Sequence, residues 1–355
     1  MLSENLASAG VETEVYTTTA NGKQELQVAV RQPVNVDGVK VTYFERLTKD
    51  HSHYSPQLFK EVKQEARNFD LVHIHAWWNL VSLFSCAIAV KRNIPVLLSP
   101  RGTLSPYSFQ NSKVGVKWLI HRLMGKKLLE KCFIHVTSDR EREAVAMLFK
   151  PKSVAVLPNF VKLPLSRAYP EKKIGGPFKL IFFSRVDAKK GLEILIEALP
   201  LLKKDYLLTI AGTGDDGYIA KLKALAVECG VDNNIVWAGF LNDNKFDVLQ
   251  AHDLFVLPSY DENFGNAVIE SLSVGTPVLI SEEVGLVDYV KKKNLGWAFK
   301  TDAVAIGGAI NDIFFNRHAE LEEIRKRAPG VIYEDFNTIN LAGKYANMYT
   351  TIING

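Results

Sequence analysis

Short runs of β-branched and aliphatic residues alternate with helical patterns along nearly the whole chain, and this rhythm constrains the fold more than any other feature. A parallel return to a sheet needs a crossover long enough to hold a helix, so the alternation predicts βαβ units and parallel sheets covered on both faces. In the first half, strands are expected at 12–18, 39–44, 71–75, 95–99, 133–137 and 154–157. In the second half they are expected at 180–183, 207–211, 235–237, 254–257 and 278–280, with helices near 190–203, 217–229, 263–273 and 302–327. The fold class is therefore α/β, doubly wound. Between the halves, 163–177 carries three prolines and two glycines among mixed charges and is the one stretch with the composition of a linker. We place two domains at 1–165 and 166–335, with 336–355 as a C-terminal helical segment on which Leu341, Tyr345 and Tyr349 fall at helical spacing.

A chain of 355 residues suits two cores better than one, and 47% hydrophobic with 23% charged residues excludes disorder and fibrous folds. Three scattered cysteines, Cys86, Cys132 and Cys229, form neither a disulfide framework nor a zinc-ligand spacing. The apolar run at 80–90 is shorter than the ~20 residues that span a bilayer, and the start lacks the pattern of a secretory signal, so the expected location is cytoplasmic. Residues 1–165 hold 22 Lys/Arg against 14 Asp/Glu, whereas 166–355 hold 21 against 25. That basic surplus is mild, and no aromatic platform is interleaved with it, so a nucleic-acid partner is not expected.

Three constellations carry chemistry. After the strand at 180–183, Arg185 and Lys190-Gly191 set two cations beside a helix start, a combination suited to a diphosphate; a solvated basic turn is the competing reading. After the strand at 254–257, Glu262-Asn263-Phe264-Gly265-Asn266-Ala267 leads to Glu270. There the backbone N–H groups of 265–267 and two carboxylates, Glu270 two turns into a helix beginning near Gly265, form a site for an anion bearing hydroxyls. A helix-capping role for Glu262 and a solvent-facing Glu270 remain open. Gly212-Thr213-Gly214 lacks the third glycine of a dinucleotide-binding turn and is read as a tight strand-to-helix turn leaving room for a flat group.

The ordered set Arg185-x4-Lys190-Gly191, Gly212-x-Gly214, Gly239, Pro258-Ser259, Glu262-x-Phe264-Gly265, Glu270 and Gly275-Thr276-Pro277-Val278 resembles the nucleotide half of the family 4 retaining glycosyltransferases. The resemblance implies the GT-B fold, two Rossmann-like domains facing a central cleft, with the C-terminal helix crossing back to the first domain. It also implies that Arg185 and Lys190 hold the diphosphate of a nucleotide-sugar, with Glu270 on the ribose and Glu262 near the transferred sugar. Amides of Gly265, Asn266 and Ala267 would assist, Gly212 would line the donor, and Leu241 would contact the base. The family uses no cofactor and usually no metal, and this chain has no Asp-x-Asp pair.

Two departures from the family pattern stand out. Residue 1 already matches the helix that follows the family's opening strand and Gly-Gly loop, with 11–18 as the second strand, which exposes a strand edge. At Ser99-Pro100-Arg101-Gly102, Arg101 takes the place of a histidine that contacts the donor sugar in many relatives. Arginine cannot act as a base near neutral pH but can bind sugar, phosphate or an acceptor carboxylate; pairing with a nearby carboxylate is the alternative. His73 and His75 are expected on alternate faces of their strand, with His75 at its end toward an acceptor; a satisfied core histidine is the competing reading. The stretch 113–131 is amphipathic and basic, and suits either packing on the sheet or peripheral contact with an anionic membrane. The resemblance implies a metal-independent hexosyltransferase that acts in polysaccharide biosynthesis, taking a UDP-sugar, or next a GDP-sugar, and a glycan or lipid-linked acceptor. Arg101, Arg185, Lys190 and Glu262 would stand at the reacting centre. The alternatives are a nucleotide-sugar epimerase of the same fold and a non-catalytic nucleotide-sugar-binding partner.

Overall fold

A computed structural model describes residues 1–22, 24–48, 50–110, 125–164 and 176–355. The chain divides into two compact units, Met1–Phe160 with Thr338–Gly355, and Val161–Asn337.

In the first unit, β1 (Glu14–Thr18) is followed by a short hairpin, β2 (Ala20–Asn21) with β3 (Gln24–Glu25), and then by β4 (Pro33–Val36) and β5 (Val39–Phe44). Strand β5 pairs in parallel with β1 and antiparallel with β4. A separate parallel sheet runs in the order β6 (Val72–His75), β7 (Val96–Ser99), β8 (Phe133–Val136) and β9 (Ser153–Val156). All six strands expected here lie within two residues of their observed bounds. The antiparallel β4 departs from an all-parallel rhythm, because the two-residue turn at Asp37-Gly38 reverses the chain at once and leaves no room for a crossover helix. Among the described residues β1 and β6 each pair on one side only.

Around these sheets, Trp77, Leu83, Cys86, Leu98 and Ile134 form one buried cluster, and Phe44, Leu58 and Val62 a second. A third joins the first helix (Leu2–Ser8) to the last (Thr338–Asn354) through Leu6, Phe160, Leu341, Ala342 and Tyr345. The helical spacing of Leu341 and Tyr345 is thus the face by which the C-terminal helix packs on the first unit.

The second unit contains one parallel sheet of six strands: β10 (Phe178–Phe183), β11 (Tyr206–Ala211), β12 (Ile235–Gly239), β13 (Leu254–Leu257), β14 (Val278–Ser281) and β15 (Gly296–Phe299). Their order is β12-β11-β10-β13-β14-β15. The chain works outward from β10 in one direction, then returns to start β13 on the other side of it. The carboxyl ends of β10 and β13 therefore lie side by side at this reversal, the place where open α/β sheets bind ligands. Strands β13 and β14 are wholly buried, as expected where helices cover both faces. Strand β15 was not expected; its Gly-Trp-Ala-Phe is too short to show a period. The single helix expected at 302–327 is two, Ala303–Asn316 and His318–Asp335, because the chain leaves helical geometry at Arg317.

Candidate active site

The loops after β10 and β13 are fastened together at the sheet reversal. Gly191 sits in the left-handed region, at φ +63°, and a Cβ there would collide with the carbonyl oxygen of Pro258. Only glycine lets the 188–191 turn lie this close to the neighbouring loop. Tyr260 N donates to Lys189 O at 2.9 Å, and Lys189 pairs with Asp261 at 2.7 Å. One residue further along each loop, Lys190 and Glu262 form an ion pair. Glu262 is anchored in turn by its backbone: its N–H donates to Glu283 O at 3.1 Å and its carbonyl accepts from Gly285 N at 2.8 Å.

The helix Asn266–Ser273 begins directly after Gly265, so its first-turn N–H groups lie at this loop, as the sequence implied. Glu270 is its fifth residue, little more than one turn in rather than two, because the helix starts at Asn266 and not earlier. Its carboxylate is not solvent-facing: the side chain is only 13% exposed and Oε1 accepts from Lys245 Nζ at 2.7 Å. Lys245 opens the helix Lys245–Gln250 and drew no notice in the sequence, where nothing local links two residues 25 positions apart. Arg185 is exposed at the carboxyl end of β10 and, among the described residues, has no hydrogen-bonding or ionic partner. Leu241 is half-buried against the unit's core, following an exposed Phe240.

The glycines at 212 and 214 serve a different purpose from the one expected. A Cβ on either would run into the backbone of Ser184 or Val186, against which this segment continues the β10–β11 pairing past the strand ends. The space is taken by backbone, so these glycines permit close packing rather than leaving room for a flat group.

In the first unit, the carboxyl ends of β6, β7 and β8 hold a polar chain. His73 and His75 lie on the same face of β6, their ring centroids 4.2 Å apart and their planes tilted by 35°. This corrects the expectation of alternate faces: residues two apart on a strand share a face. His73 Nδ1 meets Tyr349 Oη and its Nε2 meets Ser99 Oγ, both at 2.7 Å. Ser99 Oγ also meets His135 Nδ1 at 2.7 Å, and His135 Nε2 lies 2.9 Å from Leu157 O. Because a carbonyl only accepts, the tautomers follow in order: His135 Nε2–H donates to Leu157 O, Ser99 O–H to His135 Nδ1, His73 Nε2–H to Ser99 Oγ, and Tyr349 O–H to His73 Nδ1. The imidazoles of His73, His75 and His135 are neutral near pH 7. Burial holds His73 well below its ordinary value and His135 at about 3; burial and then the charge of Arg101 push His75 down to about 4.

Arg101, in left-handed backbone at φ 55°, donates to Asn159 Oδ1 and to the Tyr345 hydroxyl, which itself donates to Pro158 O at 3.1 Å. Among the described residues no carboxylate pairs with Arg101, so its partners are neutral rather than the acid that the alternative reading required. The sequence reading missed His135, Tyr345 and Tyr349 as partners of this cluster, since they meet Ser99, Arg101 and His73 only through the fold.

Residues 113–124 of the basic amphipathic stretch lie outside the described residues; within the remainder, Lys126–Leu129 is a helical turn with Leu129 buried. Among the described residues no helix is long and apolar enough to cross a membrane. Nor do three or more His, Cys, Asp or Glu side chains gather among them in a group that could hold a metal ion.

Two units built on parallel sheets in this order are the architecture of a GT-B glycosyltransferase. Residues 169–330 match the family model described as glycosyl transferases group 1, and residues 1–159 match the glycosyl transferase 4-like domain. The chain belongs to the group 1, family 4 glycosyltransferases. It is 24% identical to an uncharacterized glycosyltransferase of Methanocaldococcus jannaschii, over 98% of this chain and 92% of that one. Among solved structures it is similar to HepE of Anabaena in complex with UDP and glucose, with a TM-score of 0.74 and 18% identity over 99% of this chain and 95% of that one. It is also similar to WaaG, a glycosyltransferase involved in lipopolysaccharide biosynthesis, with a TM-score of 0.70 and 17% identity over 98% and 94%. These structural likenesses concern the fold.

Proposed function

We propose that this glycosyltransferase moves a hexosyl unit, with retention, from a nucleotide-diphosphate sugar to a glycan or lipid-linked acceptor in polysaccharide assembly. A UDP-sugar is the favoured donor and a GDP-sugar the next. The observation that carries the reading is the meeting of Lys190, Glu262, the amides after Gly265, and Glu270 at the sheet reversal of the second unit, with Arg185 exposed at the same strand end. HepE, similar in fold, is solved with UDP and glucose, which favours uridine; WaaG, also similar, acts in lipopolysaccharide biosynthesis, which favours a glycan or lipid-linked acceptor.

In this reading Arg185 and Lys190 neutralise the diphosphate, the amides of Gly265, Asn266 and Ala267 donate to it, and Glu270 accepts from ribose hydroxyls. Glu262 gives up Lys190 to the phosphate and accepts from a hydroxyl of the sugar. The acceptor oxygen bonds to the anomeric carbon as the bond to the diphosphate breaks; the electron pair leaves on the phosphate oxygen, and that oxygen takes the acceptor's proton. Fixed cations stabilise charge where it develops, the role a divalent ion plays elsewhere. Arg101 and His75 would serve the acceptor or sugar from the first unit. Arg101 is always charged and His75 is neutral, so the arginine binds and the imidazole accepts or donates a hydrogen bond.

The test is thermal stabilisation by UDP, GDP and ADP, with and without EDTA, in the parent and in Arg185→Ala and Glu270→Ala. At about 100 times its Kd a ligand adds roughly 2.7 kcal/mol. One nucleotide is expected to raise Tm regardless of EDTA, and each substitution to abolish the rise. No rise with any of the three at millimolar concentration overturns the donor reading, and loss of the rise in EDTA overturns metal independence.

A further inference from the structure

We propose that Lys245 is a positioning residue for the donor nucleotide: it holds the Glu270 carboxylate in the orientation that takes the ribose, and so sets the preference for ribonucleotides. The inference rests on the placement of Glu270 at the ribose given above.

A carboxylate near the start of a helix has free torsions, and an ion pair to one oxygen removes them. Lys245 Nζ lies 2.7 Å from Glu270 Oε1, with both side chains largely buried at 22% and 13% exposure. Among the described residues Lys245 alone engages the carboxylate, at Oε1, so Oε2 can accept and the carboxylate meets a ribose in one pose instead of several. The lysine is restrained in its own right, its ammonium 4.9 Å from the Phe246 ring centroid. Charge adds a second effect. Glu270 shares a helix of eight residues with the amides proposed to hold the diphosphate, and an uncompensated carboxylate there would repel that anion. Lys245 offsets it.

The experiment measures the Kd of UDP, GDP and ADP, and of the 2′-deoxy form of whichever binds, in the parent, Lys245→Met and Lys245→Arg, with Tm of each unliganded protein alongside. The parent is expected to prefer the ribonucleotide. In Lys245→Met that nucleotide is expected to bind roughly tenfold more weakly, the loss of one charged hydrogen bond, while the ribo-to-deoxy ratio falls toward one. Lys245→Arg is expected to restore most of the ratio. If Lys245→Met lowers Tm but keeps the parent's ratio, the lysine only ties two helices together and the proposal is overturned, the donor reading standing. If the parent binds a nucleotide without preferring the ribose, the role of Glu270 fails and this proposal with it. If the parent binds none of the three, the donor reading itself has failed.

Discussion

At the scale of single residues, the second unit shows how much of a site is backbone packing. Ser259 lies fully buried between Pro258 and Tyr260, and among the described residues its hydroxyl has no hydrogen-bond partner. An unsatisfied buried polar atom costs free energy, so Ser259→Ala is expected to leave Tm unchanged or raise it; a fall of several degrees would show that the hydroxyl has a partner. Gly214 behaves oppositely. Its missing Cβ is the space filled by the Val186 carbonyl, so Gly214→Ala must push apart the extension of β10 and β11. A loss of about 1–3 kcal/mol is expected, read from urea denaturation, together with weaker nucleotide binding because Arg185 lies in the displaced segment. The sequence marked both glycines, yet assigned them to ligand access, because what a glycine makes room for lies outside its own neighbourhood.

At the scale of elements, the C-terminal helix Thr338–Asn354 is tied to the first unit by the chain of neutral imidazoles. Tyr349→Phe removes the donor to His73 Nδ1 and leaves a buried acceptor unpaired, for an expected loss of about 1–3 kcal/mol in the first unit's stability. The sign of the pH effect follows from the depressed values. His73, His75 and His135 bind protons more readily unfolded than folded, so their contribution is fully present above the ordinary histidine value near 6.5. It is lost as pH falls from there toward about 3–4. Tm is therefore expected to drop between pH 7 and pH 4 with net proton uptake on unfolding, and a Tm independent of pH over that range would refute neutral, fully committed imidazoles. The helix itself was legible from Leu341 and Tyr345 at helical spacing. Its partners were not, since Tyr349 and His73 are separated by 276 positions.

At the scale of the molecule, each unit carries its own buried clusters, and the residues proposed for the donor's nucleotide belong to Val161–Asn337 alone. Hydrogen exchange with and without the stabilising nucleotide is therefore expected to show new protection at 184–191, 239–245 and 260–270, with the ends of β6 and β7 unchanged. Protection at 73–75 and 99–102 without change in the 184–191 and 260–270 loops would move the nucleotide to the wrong unit.

What the sequence determined by itself is the repeated local pattern: eleven strands, most within two residues of their observed bounds, and the loop motifs with Arg185, Lys190, Glu262 and Glu270. Periodicity, strand-end cations and glycine turns are encoded over a few residues, where apolar spacing and φ preferences act directly. Tertiary structure alone decided the pairings that give those residues their chemistry: Lys190 with Glu262, Lys245 with Glu270, Arg101 with Asn159 and Tyr345, and the His73-Ser99-His135 chain. It also decided the β4 reversal, the late β15 and the face shared by His73 and His75. The physical reason is the same in each case. An ion pair or buried hydrogen bond forms only after the sheet has set its strand order and brought distant loops to one edge, and no short-range signal in the chain records that order.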